Sequence, residues 1–184
     1  MRRAGHHDQA TGLLTTVATE LDSANGWELA GRGSLLLTAA YTHAQRGHST
    51  TARSLADEAA DVAGRLPARW PGNSVFTAAQ VPIYRIGIHN ALGDPARALT
   101  IARGISLGAL PTEERRARVC LDVARAWFAH GNAHRCPLAL RMADSHAPEE
   151  LRRPQTQRLT RELLDLPGRT PNGLHEFATM TGAV

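Results

Sequence analysis

Apolar residues recur along this chain at the three- and four-residue spacing of a helix, and nowhere sustain the two-residue alternation of a strand. Leu14, Val17, Ala18 and Leu21 form one stripe, and Asn25-Gly26 reads as its stop, which predicts a helix over 9–24. Leu36, Ala39, Ala40 and His43 share a face of a second helix, 29–46, closed by Gly47. Ala52, Leu55, Ala56, Ala59, Ala63 and Leu66 line a third, 50–66, closed by Pro67. The very short turn between the second and third makes them an antiparallel pair. After a loop rich in Pro and Gly, Thr77 is the expected cap of a helix over 77–92 carrying Val81, Tyr84, Ile88, Ala91 and Leu92.

Gly93-Asp94-Pro95 breaks the chain and restarts it as a helix over 95–104, with Pro95 in a first turn that needs no N–H from it. Thr112, followed by Glu113 and Glu114, marks the start of a helix over 112–130 with the stripe Cys120, Val123, Ala124 and Trp127. Gly131-Asn132 turns the chain into 134–147, which carries Cys136, Leu140, Ala143 and Ala147 and stops at Pro148. A helix over 154–165 follows Pro154, and Thr170-Pro171 reads as the cap and first residue of a short helix, 171–180. Pro82 and Pro137 sit inside two of these stripes, so each helix either starts later than drawn or is kinked there. The expected fold is all-α, a single helical-repeat domain over 1–184.

Three of the hairpins share a register. Their turn glycines are Gly47, Gly93 and Gly131. Five residues on stand Ala52, Ala98 and Cys136, and seven residues before stand Ala40, Ile86 and Ala124. This is similar to the tetratricopeptide pattern, in which small residues let two helices approach and a proline ends the second. Turn spacings of 46 and 38 residues exceed that repeat's period of about 34, with the surplus in the loops between hairpins. Ala40, Ala52, Ala98, Ala124 and Cys136 are the expected packing positions of an α-solenoid of about four hairpins.

Longer strings carry a closer resemblance. They are 29–47, Phe76-Thr77-Ala78-Ala79-Gln80-Val81 with Tyr84-Arg85, Ala91-Leu92-Gly93-Asp94, 109–118, 147–154 and Pro167-Gly168-Arg169-Thr170-Pro171. In these the chain resembles the C-terminal tetratricopeptide-like domain of actinobacterial helix-turn-helix regulators of the xenobiotic-response-element type. In that family an N-terminal domain reads DNA and this part is the regulatory or oligomerising half. The resemblance therefore implies a regulatory domain binding a peptide or small effector, here lacking the DNA-binding head. The alternative is a stand-alone interaction or dimerisation scaffold, a truncated paralogue acting as a homodimer. Repeat arrays of this kind present aromatic and charged residues on a concave face, which nominates Tyr84, Arg85, His89, Arg125 and Trp127 as groove-lining positions.

Composition trims the function classes. Aromatics are 4% of 184 residues, and alanine dominates the apolar set, as suits closely packed helices. All 21 basic residues are arginine, a coding-bias signature of a GC-rich genome that discounts them as phosphate readers. A net charge of +4 falls short of a nucleic-acid footprint, so this chain alone is not expected to bind DNA specifically. No apolar stretch reaches a membrane span, no signal sequence opens the chain, and two cysteines make no disulfide framework, so the expected compartment is the cytoplasm.

Candidate chemistry is thin. His130, His134 and Cys136 are metal-ligand types, but Gly131-Asn132 turns the chain between them, and no metal or cofactor is expected. His6-His7 is a terminal pair on a chain end expected to fray. Cys120 and Cys136 lie at heights on their helices that differ by roughly 9 Å, beyond disulfide reach. Gly31-Arg32-Gly33-Ser34 has no preceding strand and no third glycine, and reads as a helix start with Ser34 near the first turn. Arg115, Arg116 and Arg118, and Arg152, Arg153, Arg158 and Arg161, are basic helical faces, read first as solvated faces partnered by Glu113, Glu114, Glu149 and Glu150, with a groove for an acidic peptide as the sharper alternative. Nothing here supports catalysis.

Overall fold

A computed structural model describes residues 7–20, 25–71, 76–167 and 171–184. Among the described residues the chain is all helical, with ten α-helices, one short 3-10 turn and no strand. None of these helices is long and apolar enough to cross a membrane. The chain divides into two compact units, Met1–Asp94 and Pro95–Val184.

In the first unit α1 (His7–Glu20), α3 (Ser49–Gly64) and α4 (Gln80–Ala91) all pack on α2 (Gly26–Gln45). Its core runs in two adjoining clusters. One holds Leu29, Leu36, Leu37, Val62 and Phe76, and the other is built almost wholly of Ala40, Ala44, Ala52 and Ala56 around Ile88. Such small side chains let α2 and α3 close on one another. Arg32 of α2 reaches across to Glu58 of α3 at 2.8 Å.

The start of α2 departs from expectation. Asn25-Gly26 is a beginning, since the Asn25 side chain accepts the Trp27 N–H at 3.0 Å and caps the helix. Gly31-Arg32-Gly33-Ser34 consequently lies in the helix interior, and Ser34 is far from the first turn. Gly33 is there for packing, because a Cβ would collide with the ring of Phe76. Gly26 does the same for Trp70, at 2.6 Å. The two rings come from the segment that follows α3, and the Trp70 indole N–H donates to the Phe76 carbonyl at 2.9 Å. Half-buried Trp70 and fully buried Phe76 thus fill the notches that α2 leaves open.

The second unit contains α5 (Pro95–Ala102), a 3-10 turn (Leu107–Ala109), α6 (Glu113–Ala129), α7 (Arg135–His146), the one-turn α8 (Pro148–Leu151), α9 (Pro154–Leu164) and α10 (Leu174–Thr181). One cluster, including Cys120, Leu121, Cys136, Leu140, Leu151, Leu163, Leu174 and Phe177, joins α6 to α10. The 3-10 turn and α8 carry no periodic stripe and were not expected. Thr112 caps α6 as its sequence suggests, accepting the Arg115 N–H at 3.3 Å.

Proline marks where helices begin. Pro82 and Pro137 are the third residues of α4 and α7, and Pro95, Pro148 and Pro154 are the first residues of α5, α8 and α9. In the first turn a missing N–H breaks no intrahelical bond, so neither Pro82 nor Pro137 interrupts a helix. Thr77 is accordingly not the immediate cap of α4. It opens a turn whose carbonyl accepts the Gln80 N–H, and the helix starts at Gln80. Likewise Pro171 opens a turn onto Gly173, at φ 71°, and α10 starts at Leu174. Thr170, His6 and the expected helical residues 21–24 lie outside the described residues.

Candidate functional site

The turn glycines Gly47, Gly93 and Gly131 close their helices with one and the same backbone device. Gly47, Gly93 and Gly131 have φ of 77°, 74° and 77°, a left-handed conformation that glycine adopts without strain. In each, the residue after the glycine donates its N–H to the carbonyl five residues back: His48 to His43, Asp94 to His89 and Asn132 to Trp127, at 3.0, 2.9 and 2.9 Å. These are Schellman caps. At the first two turns the side chains of those residues meet, His43 with His48 and His89 with Asp94. At the third both engage Arg135, whose N–H the Asn132 side chain accepts and whose guanidinium covers Trp127.

Around each turn the small positions are inside. Ala40 and Ala52 share one cluster, Ala124 and Cys136 share another, and Ala98 and Ile86 are each buried. All six have 0% exposure, so the register of small residues tracks burial at each of the three turns.

The five nominated groove residues are divided between the units. Tyr84, Arg85 and His89 lie on α4 of the first, and Arg125 and Trp127 on α6 of the second. Tyr84 packs against both clusters of the first unit. Arg85 bonds Asp57 of α3 at 2.5 Å, and His89 lies 3.3 Å from Asp94. Arg125 holds Asp122 at 2.6 Å, and Trp127 lies under the Arg135 guanidinium, 4.6 Å from its centroid. The four charged or aromatic tips are therefore engaged inside the molecule, as alternating sequence charge on neighbouring helices could have suggested.

Burial raises the Asp122 carboxyl above its ordinary value, against the pull of Arg125 and Arg118. The two cysteines are free and buried, and burial pushes their thiols up, Cys120 to about 11 and Cys136 to about 12. Such thiols stay protonated at neutral pH and are poor nucleophiles. His130 and His134 are exposed while Cys136 is buried, and among the described residues no three His, Cys, Asp or Glu side chains gather as a metal centre would require.

The basic faces are largely neutralised by helical neighbours. Arg116 pairs with Glu113, Arg118 with Glu114 at 3.2 Å, Arg153 with the buried Glu150 at 2.5 Å, and Arg158 with Glu162 at 2.7 Å. Glu113 also meets His146 of α7 at 2.6 Å, and Arg116 donates to the Leu110 carbonyl. This network ties the start of α6 to the end of α7, a structural use of residues that sequence alone could also assign to an acidic ligand.

The chain has no significant match among protein-family models, curated proteins or solved structures. Any functional reading therefore rests on the residues and their geometry.

Proposed function

We propose that this chain is a non-catalytic, tetratricopeptide-like solenoid that binds a peptide or small effector, related to the regulatory half of actinobacterial helix-turn-helix regulators and working in the cytoplasm. One observation carries the reading. Three Schellman turns recur with a buried small or aliphatic residue at the same distance before and after each glycine, which is the layout of a repeat whose exposed helical faces vary to suit a partner.

An anionic group on the partner fits the residues best. Arg85 is held by an Asp57 that is 72% exposed, and such a surface pair is worth only about 0–1 kcal/mol. A ligand carboxylate can displace Asp57 at little cost, with Tyr84 beside it. The test is a fluorescence-anisotropy titration of the full chain with labelled acidic peptides and with their Asn/Gln counterparts. Saturable binding that weakens about tenfold or more in Arg85→Ala, or at a separate site on the second unit in Arg125→Ala, supports the reading. Equal binding of acidic and neutral peptides, untouched by both variants, overturns it. So does a salt-resistant, sequence-specific gel shift with DNA by this chain alone.

A second reading, a dimerisation scaffold, is favoured by Leu138 and Met142. They stand one turn apart on α7 and are 62% and 48% exposed. Sedimentation velocity at micromolar concentration decides it: a dimer dissolved by Leu138→Glu supports a scaffold, and a monomer excludes it.

A further inference from the structure

We propose that His43 and His48, gathered by the first hairpin turn, form a two-histidine chelate for a divalent transition metal of the Zn2+ and Cu2+ class.

The geometry comes from the backbone. The cap at Gly47 bonds the His48 N–H to the His43 carbonyl at 3.0 Å and the Gly47 N–H to the Ala44 carbonyl at 3.0 Å. That pattern places the last-turn residue of α2 and the residue before α3 side by side. In the other two turns the same positions hold His89 with Asp94 and Trp127 with Asn132. Only the first turn places two imidazoles there. Their Nδ1 atoms are 3.2 Å apart, with ring centroids at 5.5 Å and planes inclined by 40°.

Two nitrogens at this distance can share a proton or share a cation. Zn–N bonds of about 2.0–2.1 Å at a tetrahedral angle require nitrogens about 3.3–3.4 Å apart, within a few tenths of an ångström of the pair as it stands. The rings now face each other nearly head-on, so each tips about its own side-chain torsions to aim its lone pair at a common ion. Both are placed to do so, since His43 is half-buried and His48 is exposed. With the ion on Nδ1, each Nε2–H turns outward, and water fills the remaining positions. Imidazole suits both ions, and Cu2+ binds more tightly than Zn2+.

The consequence is a clip between α2 and α3. His48 makes no side-chain capping bond to α3, so its ring is available to a ligand without cost to the helix start. An ion that bridges the pair in the folded chain raises its stability by mass action.

The experiment is isothermal titration of the full chain with Zn2+ alone, paired with thermal unfolding at saturating Zn2+. The expected result is one ion per chain and a raised Tm. Affinity drops about tenfold or more in His43→Ala and in His48→Ala, given that losing even an outer-sphere partner commonly costs about 10–100-fold. His48→Gln, which keeps a polar exposed side chain, serves should His48→Ala fold poorly. The controls His130→Ala/His134→Ala and His6→Ala/His7→Ala leave binding intact. Absence of stoichiometric binding overturns the proposal, as does binding that survives loss of His43 and His48 or that disappears only with His6 and His7.

Discussion

The hairpins α2–α3 and α6–α7 are built on the same turn and filled in different ways. Both end their first helix on a glycine at φ 77° and both bury a small residue seven positions before it and five after. In the first, the contact is alanine on alanine, and the neighbouring notch on α2 is filled by Phe76 from outside the hairpin. In the second, Cys136 replaces alanine, and the space beyond is filled by residues from helices that follow in the chain, Leu151, Leu163, Leu174 and Phe177. Two hairpins can therefore share one register while the filling of each comes from whatever segment lies next to it. The register is a property of the hairpin, and the filling is a property of its neighbourhood.

Removing the filler is the sharpest way to separate the two. Phe76 is fully buried, so Phe76→Ala should cost about 3–5 kcal/mol in urea unfolding. Gly33→Ala ordinarily gains up to about 1 kcal/mol inside a helix. Here it should cost about 1–3 kcal/mol, because the added Cβ meets the Phe76 ring. In the Phe76→Ala background that penalty should vanish, and a double-mutant cycle showing simple additivity would refute the notch.

The register itself is tested next. Ala40→Leu and Ala52→Leu should each destabilise by about 1–3 kcal/mol through overpacking. An unchanged urea midpoint in both would mean that α2 and α3 do not meet at these residues.

The turns should respond alike. A Cβ on Gly47 or Gly131 meets nothing within 4 Å, so only backbone strain remains. Gly47→Ala and Gly131→Ala should therefore cost the same, about 1–2 kcal/mol, and a twofold difference between them would show that the two turns are not equivalent.

The smallest effect is at the position where the hairpins differ. Cys136→Ala should change stability by less than about 1 kcal/mol, since the residue acts as a small apolar filler. In the folded wild type both thiols should stay unreactive to a disulfide reagent at pH 8. Both should react only as the pH rises well above the ordinary thiol range. The sign follows from linkage. Both folded values exceed the unfolded one, so the thiols' contribution is full below about pH 8.5 and is lost as the pH climbs toward 11–12. Alkaline unfolding should thus be delayed in Cys136→Ala.

Helix placement was legible in the spacing of apolar residues, because an amphipathic stripe is a local property. The three turn glycines were legible for the same reason. What sequence misassigned or left open were signals with two meanings. Asn25-Gly26 can stop one helix or cap the next, and Pro82 can kink a helix or begin it; the choice depends on which neighbour supplies the hydrogen bond. The packing of Gly33 on Phe76 was hidden because the two are 43 positions apart. For the candidate groove, residue types were readable but their partners were not. Asp57, Asp94 and Asp122 already hold the arginines and histidine that a bare sequence leaves open to a ligand.

The Schellman cap also bears on how such a chain can evolve. Main-chain hydrogen bonds fasten each turn, so the turn's own backbone makes little demand on which side chains it assembles. Mutations there escape purging for instability and accumulate as heritable variety. Turns of this one backbone design thus hold an imidazole pair in one place and an imidazole–carboxylate pair in another. The turn is a protected place for innovation, where a new chemistry can be tried before it is useful.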